Sequence, residues 1–242
     1  MPNVTPEMVA LGAIWYIVFL FSTTCHEAAH ALAAKWGGDP TAYHGGQVTL
    51  NPLPHILREP VGMVIVPLVS LVYYQARWLI GWASAPYDPN WAERYPRRAA
   101  WMALAGPAAN FTLMLIAAAA IRVGMLLGYF QAPESITYSR ITEASATSAE
   151  ASFAATFLSL MFFLNLLLGT FNLVPVPPLD GHAGITLLMS ERQATRFLGM
   201  MRDRGLQFAG LMLAWYGFGY VFAPLFTAAL NLLYPGMNYG AG

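Results

Sequence analysis

The sequence predicts an all-α polytopic membrane protein with about four helices that cross the bilayer. Of its 242 residues, 57% are hydrophobic and only 10% are charged, whereas a soluble domain carries about 25% charged residues. Four apolar runs, about residues 9–34, 103–127, 152–173 and 206–234, are long enough to span a membrane, which takes roughly 20 residues. No shift in composition divides the chain, so residues 1–242 are expected to form a single integral-membrane domain.

The first apolar run is expected to be a membrane helix. No basic residue precedes it, and it exceeds the 7–15 apolar residues of a secretory signal, so it is not predicted to be cleaved. Twelve basic residues balance twelve acidic ones, so a nucleic-acid partner is excluded. The single cysteine, Cys25, excludes an internal disulfide and a zinc site built mainly from thiolates.

A fifth apolar run, residues 61–82, is predicted to be re-entrant rather than fully crossing. It holds Pro67 in mid-run and Arg77 in its second half, features that suit a segment lined by protein better than a lipid-facing helix. With four crossings, nine Lys and Arg residues fall on one side and only Arg140 on the other. The basic side is expected to be cytoplasmic and both termini outside. The basic side carries Lys35, Arg58, Arg94, Arg97, Arg98, Arg192, Arg196, Arg202 and Arg204.

The first helix contains His26-Glu27-Ala28-Ala29-His30. Positions i and i+4 share one face of a helix, so His26 and His30 can offer two imidazole nitrogens to a single metal ion. Glu27 is placed to accept a proton from a water molecule that the metal activates, as in zinc hydrolases. A buried structural cluster is the alternative. Ionisable groups are costly inside a membrane, so three within five residues favour a shared metal.

Asp180 is the best candidate for a third ligand, because a catalytic zinc usually takes three protein ligands. It follows the crossing at 152–173 after Pro175-Val176-Pro177-Pro178, where the prolines end the helix. The histidines lie toward the end of the first crossing, so they can meet Asp180 only if both helices run in the same direction. The four-crossing topology satisfies this condition, and a five-crossing topology does not.

Three segments match, in order and in setting, the motifs of the site-2 protease family. They are His26-Glu27-Ala28-Ala29-His30 in an early helix, Gly106-Pro107-Ala108-Ala109-Asn110 in another, and Asn172-Leu173-Val174-Pro175-Val176-Pro177-Pro178-Leu179-Asp180-Gly181 at the end of a third. Over about residues 15–190 the chain therefore resembles these intramembrane zinc metalloproteases, in particular the compact bacterial branch without PDZ or CBS domains.

The resemblance implies one Zn²⁺ per chain, with His26, His30 and Asp180 as metal ligands and Glu27 as general base. It also implies that Asn172 and Asn110 contact the substrate backbone or the developing oxyanion, a role that amide donors can fill. For both asparagines the residues alone leave helix capping or hydrogen bonding between helices as alternatives.

Residues 44–56 are predicted to contain a short strand at Val48-Thr49-Leu50. By analogy with the family this piece would be a membrane-associated β-hairpin whose edge pairs with an unwound substrate. A plain interfacial loop is the alternative. His182, close to Asp180, is expected either to orient a ligand or to cap its turn and face water.

The expected function is hydrolysis of a peptide bond in or near a transmembrane segment of another membrane protein, within the lipid bilayer. The alternative is a metal-binding membrane protein without proteolytic activity, either a transporter or an inactive scaffold. No internal repeat is visible and the candidate ligands cluster near one face, which disfavours transport. An inactive relative would be expected to lack Glu27 or a ligand, and none is missing.

Overall fold

A computed structural model describes residues 5–237 and 239. A π-helical turn, Val61–Ile65, leads into the fourth helix, and a 3₁₀ turn, Ile185–Leu188, follows the eighth. In chain order the helices and strands are α1 (Pro6–Gly37), α2 (Thr41–His44), α3 (Leu53–Arg58), α4 (Val66–Tyr73), α5 (Pro89–Arg94), α6 (Pro96–Leu126), β1 (Phe130–Gln131), β2 (Glu143–Ala144), α7 (Ala149–Asn172), α8 (Asp180–Gly184), α9 (Glu191–Met200) and α10 (Arg204–Leu233).

Four of the described helices are long and apolar enough to cross a membrane: α1, α6, α7 and α10. They coincide with the four predicted crossings, but each begins before its apolar run. Polar residues start three of them: the side chains of Thr5, Ser148 and Asp203 accept hydrogen bonds from the first turns of α1, α7 and α10. Hydropathy therefore located all four helices, and capping side chains mark where these three begin.

Helices α1 and α6 run in opposite directions. The Asn110 amide donates to the Ser22 carbonyl at 3.5 Å, and two turns further along α1 the Nδ1 of His30 lies 2.8 Å from the carbonyl oxygen of Met102. Later residues of α1 therefore contact earlier residues of α6. One further traverse of the fold between these two helices would make them parallel, so the intervening segment returns to the side from which it starts.

Helices α1 and α7 run in the same direction, as the candidate ligands require. The Asn165 amide donates to the Ser22 hydroxyl at 2.9 Å. Further along α1, His26 lies against Asp180, which comes after the end of α7. Helix α10 runs back along α7, since Phe218 packs against Phe171 whereas residues later in α10 pack against earlier ones in α7.

The segment 61–82 reverses direction instead of spanning the fold. After α4 the chain turns at residues 74–76, and it returns beside the helix without regular secondary structure. On the way back, the Ile80 N–H donates to the Ser70 hydroxyl at 2.9 Å and the Trp82 N–H donates to the Gly62 carbonyl at 3.1 Å. Both ends of the segment therefore lie on one side of the fold, as the four-crossing topology predicts.

The strand predicted at residues 48–50 is wrong. These residues form successive bends, and side chains hold them: the Asn51 N–H donates to the Thr49 hydroxyl at 3.1 Å, and the Leu53 N–H donates to the Asn51 side-chain oxygen at 3.0 Å. Such local bonds compete with sheet ladders and outweigh the strand preference of Val48 and Thr49. The structure instead pairs β1 with β2, antiparallel, between α6 and α7.

Candidate metal centre

Helix α1 places two histidines and a glutamate together inside the fold. His26, Glu27 and His30 are 6%, 5% and 7% exposed. One helical turn separates the two imidazoles, and their Nε2 atoms lie 2.9 Å apart. A carboxylate oxygen of Glu27 lies within 4.8 Å of both imidazole nitrogens. The predicted motif therefore forms one buried cluster.

Asp180 reaches this cluster from a distant part of the chain. Helix α7 ends at Asn172, and the proline-containing turn that follows delivers Asp180 as the first residue of α8. Its Oδ2 lies 3.1 Å from the Nε2 of His26 and 3.3 Å from that of His30. The next residue, Gly181, makes this turn possible, because a Cβ there would lie 2.3 Å from the Leu173 carbonyl oxygen.

The three atoms form a triangle of the size that zinc requires. Nitrogen and oxygen ligands about 2.0–2.1 Å from a tetrahedral zinc lie about 3.3–3.4 Å from one another. The observed edges of 2.9, 3.1 and 3.3 Å come within about 0.5 Å of that value. The donor set of two imidazoles and one carboxylate also suits this metal, so the residues present fit a zinc ion.

Hydrogen bonds turn the Nε2 lone pairs of both histidines toward the centre of this triangle. The Nδ1 of His30 lies 2.8 Å from the Met102 carbonyl, which can only accept, so Nδ1 carries the proton. The Nδ1 of His26 lies 2.6 Å from the side-chain oxygen of Asn110, with the same result. Two lone pairs and a carboxylate oxygen converge stably only around a positive charge, and metal-binding histidines are oriented by such partners.

Gly106 leaves room beside the two imidazoles. A Cβ at this position of α6 would lie 2.4 Å from the Nε2 of His30 and 2.5 Å from that of His26. Any larger residue would therefore fill the space into which both nitrogens point. This contact gives a physical reason for the glycine in the segment 106–110.

The carboxylate of Glu27 lies close to the triangle. Its Oε2 is buried and lacks a hydrogen-bond partner among the described residues, as does the Oδ2 of Asp180. A buried carboxylate oxygen without a donor is costly, so such an atom calls for an ion or a water molecule at the site. Asp180, and not Glu27, supplies the oxygen at coordination spacing, which leaves Glu27 available for proton transfer.

The two predicted asparagines occupy different surroundings. Asn110 is 0% exposed, and its amide is occupied between helices by His26 and Asn165. Hydrogen bonding between helices is therefore the alternative that the geometry favours for it. Asn172 is partly buried and donates to the Leu168 carbonyl of its own helix at 3.0 Å. Within the described chain it makes no hydrogen bond to the triangle.

A cavity of about 180 Å³ adjoins the triangle. Asp180 lines it, together with Met102, Pro177 and His182 among others. The Nδ1 of His182 lies 2.6 Å from the Leu179 carbonyl, so this side chain caps its own turn, as one of the two expectations for it stated. The cavity provides open space beside the carboxylate of Asp180.

Sequence reasoning missed two residues of the site. Gly106 stands in a quoted motif, yet no role for it followed from the sequence. Asn165 was not singled out at all. Its signal is an amide in the middle of an otherwise apolar helix, seven residues before Asn172 and thus on the same helical face.

A buried His-Glu-His cluster with a convergent aspartate, carried by membrane-length helices, defines a metal-dependent hydrolase of the membrane-embedded class. Comparison with known proteins identifies the family of this hydrolase. The chain belongs to peptidase family M50, whose family model matches residues 14–216. No solved structure matches the chain.

Two curated relatives are similar to this chain. One, from Bacillus subtilis (strain 168), is named "Putative zinc metalloprotease YwhC" and is 28% identical over 228 residues, 93% of this chain and 85% of that protein. Another, from Mycolicibacterium smegmatis, is named "Putative zinc metalloprotease Rip2" and is 25% identical over 176 residues, 69% of this chain and 54% of that protein. Zinc is therefore the metal that the comparisons indicate.

Proposed function

We propose that this protein is an intramembrane zinc metalloprotease that hydrolyses a peptide bond in or near a transmembrane segment of another membrane protein. His26, His30 and Asp180 would hold one Zn²⁺ per chain, and Glu27 would act as general base. The observation that carries this proposal is the buried triangle of two Nε2 atoms and one carboxylate oxygen, with edges of 2.9–3.3 Å. Beside it lies Glu27, whose Oε2 has no hydrogen-bond donor among the described residues.

The chemistry divides between the metal and Glu27. Bound zinc would lower the pKa of water toward ~7 and polarise a carbonyl. Glu27 would take the proton of the attacking water and pass it to the leaving amine, the role of a general base that then acts as general acid. His26 and His30 keep their orientation through the hydrogen bonds of their Nδ1 atoms.

The substrate must unwind before it can be cut. In a transmembrane helix every peptide bond is protected by internal hydrogen bonds. Residues that weaken a helix near the scissile bond should therefore favour cleavage. Asn172 would donate its amide to the substrate backbone or the oxyanion. One of its N–H groups is bound to Leu168, and the other is available for this role.

The ends of α1 and α7 are proposed to face the cytoplasm, with both termini outside. The charge asymmetry of nine basic residues to one supports this orientation. Segment 61–82 would then be a re-entrant loop entering from the cytoplasmic side. Single cysteines at Ser190 and Ser135, in a Cys25→Ala background, test the orientation. A membrane-impermeant maleimide applied to intact cells should label Ser135→Cys and not Ser190→Cys; the reverse pattern would invert the proposal.

Glu27→Gln tests the proposed function. This variant should retain about one zinc per chain but lose turnover of a model transmembrane substrate, because glutamine cannot accept the proton. Cys25→Ala, two positions before Glu27 in α1 and partly buried, is the matched control and should keep both zinc and turnover. Wild-type cleavage by purified Glu27→Gln would overturn the assignment of the base.

A further inference from the structure

Asn165 lies at the centre of the fold, outside the set of residues that the proposed mechanism uses. It is 0% exposed in the middle of α7, where its neighbours in sequence are phenylalanines and leucines. Burying an amide among apolar side chains is unfavourable unless its donors and acceptor are all satisfied. In Asn165 each of these groups has a partner, and one of those partners is Asn110.

The partners of Asn165 determine which way two amides point. Its NH₂ group donates to the Met161 carbonyl and to the Ser22 hydroxyl, both at 2.9 Å. Because a carbonyl can only accept, the oxygen of Asn165 must face the NH₂ group of Asn110, 2.9 Å away. The oxygen of Asn110 then faces the Nδ1 of His26 at 2.6 Å.

This orientation decides which nitrogen of His26 carries a proton. An oxygen opposite Nδ1 accepts its N–H, which leaves Nε2 with a free lone pair toward His30 and Asp180. If Asn110 were flipped, its NH₂ group would face Nδ1 instead. The ring would then hold its proton on Nε2 and could not bind a metal there.

We infer that Asn165 is a positioning residue for the metal centre, which acts through Asn110 to hold His26 in the tautomer that binds zinc. The inference rests on the proposed role of His26 as a ligand. It assigns α7 a second contribution to the site besides delivering Asp180. A role in packing alone would require Asn165 to join α7 to α1, but would not depend on which atom it presents to Asn110.

Three variants separate these roles. Asn165→Leu keeps the branched shape and the number of side-chain heavy atoms but presents no acceptor to Asn110. Asn165→Asp, neutral in this apolar surrounding, keeps a carbonyl oxygen toward Asn110 and an O–H toward Met161 or Ser22. Ser159→Ala is the matched control: this fully buried serine of the same helix binds the backbone of residues 141 and 142, away from the triangle. Its loss should lower stability alone.

The main readout is zinc affinity, measured by competition with a chelator. Two further measurements accompany it: the visible spectrum of the cobalt-substituted protein and the melting temperature of the metal-free protein. In Asn165→Leu the zinc Kd should rise about 10- to 100-fold and the cobalt bands should shift. Asn165→Asp should stay within about threefold of wild type, since the acceptor is retained. Ser159→Ala should keep wild-type affinity even where its melting temperature falls.

Two results would overturn the inference: wild-type zinc affinity in Asn165→Leu, or an equal loss of affinity in Ser159→Ala. His26→Ala distinguishes this failure from that of the proposed function. If His26→Ala loses zinc while Asn165→Leu retains it, only the positioning role is wrong. If His26→Ala retains full zinc affinity, the proposed metal centre itself is wrong.

A measurement on the wild-type protein covers the case in which Asn165→Leu does not fold. Nitrogen-15 spectra of histidine-labelled, zinc-loaded protein report which ring nitrogen carries the proton. His26 should show a hydrogen-bonded Nδ1–H, assigned by its absence in His26→Ala. A His26 signal protonated on Nε2 would contradict the inference.

Discussion

Substituting Gly106 by alanine should remove zinc from the protein while leaving the helices assembled. The added Cβ would lie 2.4 and 2.5 Å from the Nε2 atoms of His30 and His26. Carbon and nitrogen in ordinary contact are about 3.4 Å apart, so the methyl group or the imidazoles must move by about 1 Å. Zinc sites tolerate about 0.2 Å in their bond lengths. We therefore expect the zinc Kd to rise about 100-fold or more, beyond the usual effect of losing an outer partner.

Gly124→Ala is the matched control for Gly106→Ala. Gly124 is also buried in α6, and a Cβ there would lie 2.2 Å from a ring carbon of Phe130, far along the helix from the histidines. Overpacking should destabilise either variant by about 1–3 kcal/mol. The two substitutions thus strain the same helix to a similar extent, and only one of them does so at the metal centre.

The assay is metal analysis of purified protein with chelator competition, alongside the melting temperature of each variant. Gly106→Ala should lose zinc, and Gly124→Ala should keep about one zinc per chain. A full equivalent of tightly bound zinc in Gly106→Ala would refute the reasoning, because the metal would then lie elsewhere than between the two imidazoles. Equal loss of zinc in Gly124→Ala would also refute it, by showing that distortion of α6 is sufficient.

Three further predictions concern the ligands, the metal and a loop. His26→Ala and Asp180→Ala should each lose zinc, measured by metal analysis, and retention by either would remove that residue from the ligand set. Chelation of zinc should lower the melting temperature by about 5–10 °C, if the metal is supplied at about 100 times its Kd. Asp39→Ala should destabilise the protein by about 2–4 kcal/mol in thermal unfolding and leave zinc bound. The reason is that the buried carboxylate of Asp39 accepts hydrogen bonds from Thr41 and from the Asp88 N–H. An unchanged melting temperature would contradict this prediction.

Much of the fold followed from the sequence because its signals are local. Apolar runs located α1, α6, α7 and α10, and the i, i+4 spacing of His26 and His30 placed two nitrogens on one helix face. The strand expected at residues 48–50 failed for an equally local reason. The side chains of Thr49 and Asn51 accept hydrogen bonds from backbone N–H groups and hold that segment in bends, and strand propensity does not take such bonds into account.

By itself, the sequence determined the class of protein, the cluster on α1 and the direction in which α7 must run for Asp180 to reach it. The tertiary structure decided how the site is shaped. Gly106 approaches both imidazoles from α6, and Asn165 orients Asn110 from α7. Such contacts join residues from 55 to 84 positions apart in the chain. Composition and periodicity describe only neighbours along one helix, so the partners of His26 became visible only once three helices had packed together.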